Sequence, residues 1–171
     1  MPRVTRVAKA RKSQGTCSKC GTKIKAGDPY LWWKFKVGGR RNRCAAPACA
    51  PRASDLTQSE FLGQLYDLQE QVSGCRSGDE LQELADQVRD LGSEQEDKLS
   101  NMPDSLQYSP SGEMLQERAD YCLEWVDELE SHAHEFEELQ EAMDAAEDEE
   151  AVLEAEEAIE NWASSIPDYP G

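Results

Sequence analysis

From Thr57 onward apolar residues return by alternating fours and threes, the signature of a helix with one buried stripe. Phe61, Leu65, Leu68, Val72 and Cys75 form the first stripe, and Thr57-x-x-Glu60 before it reads as a capping box. Ser77-Gly78 breaks the pattern. A second helix is predicted from about Asp79, with Leu81, Leu84, Val88 and Leu91 on its seam, fading through Gln95 and Lys98 to Leu99 and Met102, where Pro103 ends it. After a loop from Pro103 to Gly112, a long helix is predicted to begin near Ser111 or Glu113. Its heptad stripe is Leu115, Ala119, Cys122, Val126, Leu129, Ala133 and Phe136, with Trp125 flanking it. Asp144 to Glu150 is short of large apolar groups, and Val152, Ala155, Ile159, Trp162 and Ile166 resume the stripe before a frayed end at 167–171.

Before Thr57 the period changes to two. Ala26-Gly27-Asp28-Pro29 is a turn, Tyr30 to Val37 reads as a strand, Gly38-Gly39 is a hairpin signal, and Arg40 to Arg43 returns. Alternation sends Leu31, Trp33, Phe35 and Val37 to one face, inward, where they can cover the cysteines that flank the hairpin, and Tyr30, Trp32, Lys34 and Lys36 to the other, toward solvent. For Trp32 two roles stay open, core residue or a platform on which an unpaired base could stack. The fold expected is a small zinc-ribbon-like β-hairpin module followed by a mainly α-helical hairpin or bundle, coiled-coil-like. Its segments are a flexible basic arm over 1–12, the module over 13–54, an acidic helical domain over 55–166 and a disordered tail over 167–171.

Charge divides at the same place. Residues 1–52 hold 14 of the 18 lysines and arginines and one acid, Asp28, for a net +13, while residues 53–171 carry −30. The overall −17 thus describes neither half. The seam of the acidic part holds alanines, glutamines and a lysine, so its core is thin, and a homo-oligomer is a natural way to complete it.

Cys17-x2-Cys20 and Cys44-x4-Cys49 supply four soft ligands in two turns separated by a hairpin, which is the arrangement of one structural zinc site. Gly21 after the second cysteine lets backbone amides turn toward the sulfurs. The opening residues Arg3, Arg6, Lys9, Arg11 and Lys12 lack the apolar stretch of a secretory leader, so a reducing, cytoplasmic setting is expected and disulfides are disfavoured. His132-x-His134 does not make a second site: two residues apart on a helix they diverge by about 200°. Phosphate loops, nucleophile elbows and membrane spans are absent from the pattern, and Asp28 is the one carboxylate near the cysteines, so no enzyme is expected.

The run Cys17-x2-Cys20-x3-Ile24-x2-Gly27, then an aromatic strand and a second cysteine pair, resembles the zinc fingers of small uncharacterised tailed-phage proteins. With those proteins the similarity extends through Ser54 to Ser59 and Asn101-Met102-Pro103. The run is also loosely similar to the zinc finger of poly(ADP-ribose) polymerase, whose third ligand is a histidine where this chain has Cys44. The resemblance implies nucleic-acid binding, and a host-cell cytoplasm if the protein is phage-encoded.

The reading that follows is a zinc-binding, DNA-binding protein without a membrane segment. Arg3, Arg6, Lys9, Arg11 and Lys12 would neutralise phosphates, Trp32, Lys34 and Lys36 would extend the footprint, and Arg40, Arg41 and Arg43 would form a hairpin tip. The acidic helices would oligomerise or bind a basic protein partner. An alternative makes those helices the working surface, as an adaptor or mimic of DNA, and a third lets the two halves mask one another.

Overall fold

The computed structural model describes residues 1–146 and 148–170, Glu149 by its backbone alone. It divides into two compact units, Met1–Gly63 and Gln64–Gly171. The first is a small antiparallel β region and the second is mainly helical.

In the first unit, β1 (Thr5–Val7), β4 (Tyr30–Lys34) and β5 (Arg40–Cys44) form one antiparallel sheet in the order β1-β4-β5, and β2 (Gly15–Thr16) pairs with β3 (Lys23–Ile24). The basic arm is therefore built into the sheet: Thr5 lies opposite Trp32 and Val7 opposite Tyr30. Ala10, which is buried, donates to the Asp28 carbonyl and accepts from Gly27. Three residues with Val7 as their one apolar side chain are too short a run for alternation to reveal, which is why the sequence reads as a free arm.

The β4 strand stops at Lys34, three residues earlier than predicted, and Phe35 to Gly39 make the connection. Gly38 sits at φ +107°, a left-handed conformation that glycine adopts without strain. Val37 is 76% exposed rather than inward, and its carbonyl accepts from Gln58 Nε2 at 2.8 Å.

Which face of β4 covers the cysteines also differs from the expectation. Tyr30 is buried with Ala10, Cys17, Ile24 and Cys49, and Val7, Trp32 and Cys44 pack against that cluster. Register explains it, since Tyr30 pairs with Cys44 and Trp32 with Asn42, so the even-numbered face shares its side with the ligand-bearing end of β5. On the opposite face Trp33 is fully buried as predicted, opposite Arg41, with Leu31 opposite Arg43.

Four longer helices follow. α1 (Glu60–Val72) is capped by Ser59, whose hydroxyl accepts from Leu62 N at 3.4 Å, so the cap is two residues later than the Thr57 box. α2 (Gly78–Ser100) is capped by Ser77, which accepts from Glu80 N. A single turn, α3 (Asp104–Gln107), occupies part of the predicted loop. α4 (Pro110–Asp144) starts one residue before the predicted range, with Ser109 as cap and Pro110 in its first turn. α5 (Glu149–Ser165) is capped by Asp148, which accepts from Ala151 N.

α2 and α4 run antiparallel, since Gly78 meets Ala133 and Phe136 while Gly92 meets Ala119 and Cys122. Most of the predicted seams are buried, Leu81, Leu84, Val88 and Leu91 on α2 and Ala119, Cys122, Val126, Leu129, Ala133 and Phe136 on α4, whereas Leu115 and Leu99 are half-buried and Lys98 is exposed. Gln95 is buried on the seam as well. Trp125 does more than flank the stripe, being fully buried with its Nε1 donating to the Pro167 carbonyl at 3.0 Å.

The C-terminal segment is consequently not frayed over its described residues. Tyr169 packs edge-on against Trp125 and Tyr121, with ring centroids 5.7 and 6.2 Å away. On α5 Ala155 and Trp162 are buried, but Val152 faces solvent. The Trp162 ring lies tilted against that of Phe136, centroids 4.5 Å apart, and its Nε1 donates to the His132 carbonyl at 2.8 Å.

Candidate metal centre and basic surface

Two turns bring four sulfurs together. The β2–β3 hairpin carries Cys17 and Cys20 at its tip: Cys17 N donates to Thr22 O at 2.8 Å, Gly21 N to Cys17 O at 3.0 Å, and Gly21 takes φ +73°. Ser18 N donates to Asn42 O, and Asn42 Nδ2 to Gln14 O, which fastens the tip to β5. β5 ends in Cys44. The four residues after it do not bulge away: Pro47–Cys49 winds into a 3-10 turn in which Cys49 N donates to Ala46 O, returning the last sulfur to the cluster.

The four cysteines are free thiols whose sulfurs all lie within 4.8 Å of one another. Cys20 and Cys44 Sγ are 3.7 Å apart. A tetrahedral ion with bonds of about 2.3 Å to each sulfur requires neighbouring sulfurs about 3.8 Å apart, so the donor set fits a metal ion. Disulfide bonding needs an S–S distance of about 2.05 Å, far shorter than this.

Ionisation follows the same geometry. Burial opposes loss of the Cys17 proton, but the backbone N–H groups of Cys20, Cys44 and Lys19 bring the thiol down to about 6. Thr22 lowers Cys20 through its hydroxyl and its backbone. Cys49 is pushed up to about 12, first by the Cys44 thiol, then by burial and the remaining sulfurs. Four thiolates coexist in such a space only around a cation. Among the described residues this is the one group of three or more metal-ligating side chains so arranged. His134 is exposed and faces Glu137 and Glu138, while His132 lies beside Glu135.

The basic side chains expected to meet nucleic acid are placed unequally. Arg3, Arg6, Lys9, Arg11, Lys12, Lys34, Lys36, Arg40 and Arg41 are exposed. Arg43 is not: it is 7% exposed, pairs with Asp55, donates to Ala50 O at 3.1 Å and lies 5.5 Å from the Trp33 ring. Trp32 is half-buried, and the Arg40 guanidinium sits 4.3 Å over its ring. The ring thus faces a cation of its own chain where an open stacking platform was one of two expectations. Lys19, Lys23 and Lys25, exposed around the cysteine hairpin, extend the cationic surface. Their signal was the near absence of acids before residue 53, since the carboxylate of Asp28 accepts from Lys25 N at 2.7 Å.

The chain matches no family model, no curated protein and no solved structure. Among the described residues no helix is long and apolar enough to cross a membrane.

Proposed function

We propose that this is a zinc-binding, nucleic-acid-binding protein whose target is DNA. In this reading its zinc-ribbon-like first unit makes the contact, and its coiled-coil-like acidic helices provide oligomerisation or a partner surface. The observation that carries the reading is a run of exposed lysines and arginines around the four-cysteine cluster, in a segment whose net charge is +13. Such a surface attracts a polyanion by releasing counterions, independently of sequence. Zinc is the metal that best suits four thiolates in a tetrahedron, and with all four positions filled by protein it stabilises and does not catalyse.

The test is direct. The intact chain, purified with its metal, should contain one zinc by elemental analysis and bind duplex DNA with an affinity that falls linearly in log–log form as salt rises. Absence of DNA binding at low salt would overturn the reading, and capture of a basic protein instead would favour the adaptor role for the acidic helices.

A further inference from the structure

Arg40 is an exposed cation held in place by its neighbours in the first unit. It opens β5 opposite Lys34, on the face of the sheet that also carries Tyr30 and Trp32. Its guanidinium lies 4.3 Å over the Trp32 ring and 5.6 Å from that of Tyr30. Nε donates to Asn42 Oδ1 and Nη2 to the Tyr30 hydroxyl, both at 2.9 Å. Nε and Nη2 share one edge of the planar guanidinium, so the two bonds occupy that edge and leave the end edge, one N–H from each Nη, pointing away from its supports.

We propose that Arg40 is the specific contact residue of the basic surface: a guanidinium fork fixed in advance by Trp32, Tyr30 and Asn42 to grip a pair of acceptors on duplex DNA. The inference rests on the nucleic-acid reading above and names the residue within it. A free arginine surrenders rotamer entropy on being ordered. Here the fold has already ordered it, so binding does not bear that cost again. Two parallel N–H groups match two phosphate oxygens or the O6 and N7 of guanine, and a lysine ammonium cannot offer the same pair. Trp32 acts as the support of the reader, which accounts for a half-buried indole beneath a cation at a surface expected to hold an unpaired base.

Arg40→Lys and Arg41→Lys in the full-length, zinc-loaded chain separate geometry from charge, because both keep the charge and Arg41 is exposed on the same strand without such supports. Arg40→Lys should weaken binding to duplex DNA about tenfold at fixed salt, with the salt slope unchanged, while Arg41→Lys stays within about twofold. Tyr30→Phe, which deletes one support and no charge, should give a smaller loss in the same direction. Zinc content and helical circular dichroism report that each variant is folded. Equal small losses for the two lysine variants would overturn the proposal and leave the nucleic-acid reading standing; a wild-type chain that binds no duplex would overturn both. In a guanine-containing duplex, a loss on 7-deazaguanine substitution that Arg40→Lys abolishes identifies guanine as the acceptor. Unchanged binding to that duplex, with a loss on methylphosphonate substitution, identifies phosphate.

Discussion

Asp55 and Arg43 form an ion pair beside Trp33, the side chain of Arg43 being 8% exposed and that of Asp55 22%. The Asp55 carboxylate also accepts from Arg52 N at 2.9 Å, and Arg43 reaches Ala50 O. Asp55→Ala strands a buried charge, and stability of the first unit should fall by about 3–5 kcal/mol, measured by denaturant unfolding of the zinc-loaded chain. Burial pushes the Asp55 carboxyl upward, but the Arg52 N–H and the Arg43 guanidinium outweigh it and hold the group below its usual range. A depressed carboxylate contributes stability above its unfolded value, near pH 4, and loses it as pH falls through the lower folded value. The stability gap between wild type and Asp55→Asn should therefore be full at neutral pH and narrow in acid, and a gap independent of pH would contradict it. Sequence reading counts Arg43 with Arg40 and Arg41 because charge is visible in a sequence whereas a partner twelve residues away is not.

Helix contacts make a sharper test of packing. A Cβ on Gly92 would lie 2.9 Å from Cys122 Cβ, while one on Gly112 would run into the Gln107 carbonyl. Alanine gains up to about 1 kcal/mol of helix propensity at either site. At Gly92 α2 can shift slightly, and overpacking of about 1–3 kcal/mol leaves a modest net loss. At Gly112 the obstacle is backbone at the α3–α4 corner, so Gly112→Ala should lower the thermal midpoint of the helical unit well below that of Gly92→Ala. Reversed order would mean the corner opens freely. These helices were legible because a stripe of period 3.5 has few other solutions: the seams of α2 and α4 are buried almost residue for residue. The four-cysteine set was legible from spacing alone. What escaped depends on contacts between distant segments. Trp125 is covered by the chain end through Pro167 and Tyr169, and Val152 lies at the sparse start of α5. The covering face of β4 was set by its register with β5, which alternation alone does not fix.

At the scale of the whole chain, salt should act in opposite directions on two measurements. Screening relieves repulsion among the carboxylates of the helical unit, whose residues belong to a segment of net −30, so its thermal midpoint should rise between low and moderate salt while the proposed DNA affinity falls. A midpoint that drops with added sodium chloride would contradict this. Emptying the proposed metal site should also act on one unit. A strong chelator should abolish the order of the cysteine-bearing sheet region, which has few buried apolar residues beyond the cluster, and leave the helical circular dichroism nearly unchanged. Joint loss of both signals would show the helices to depend on the metal. Of the six thiols, Cys17, Cys49, Cys75 and Cys122 are buried, Cys44 is half-buried and Cys20 alone is exposed. An alkylating reagent meeting the native protein finds one open sulfur, and that sulfur is a candidate ligand of the ion. Maleimide uptake, located by mass spectrometry, thus becomes a gauge of vacancy: up to four equivalents, Cys20 among them, from demetallated protein whose sheet region has lost its order, and little while an ion holds the thiolates.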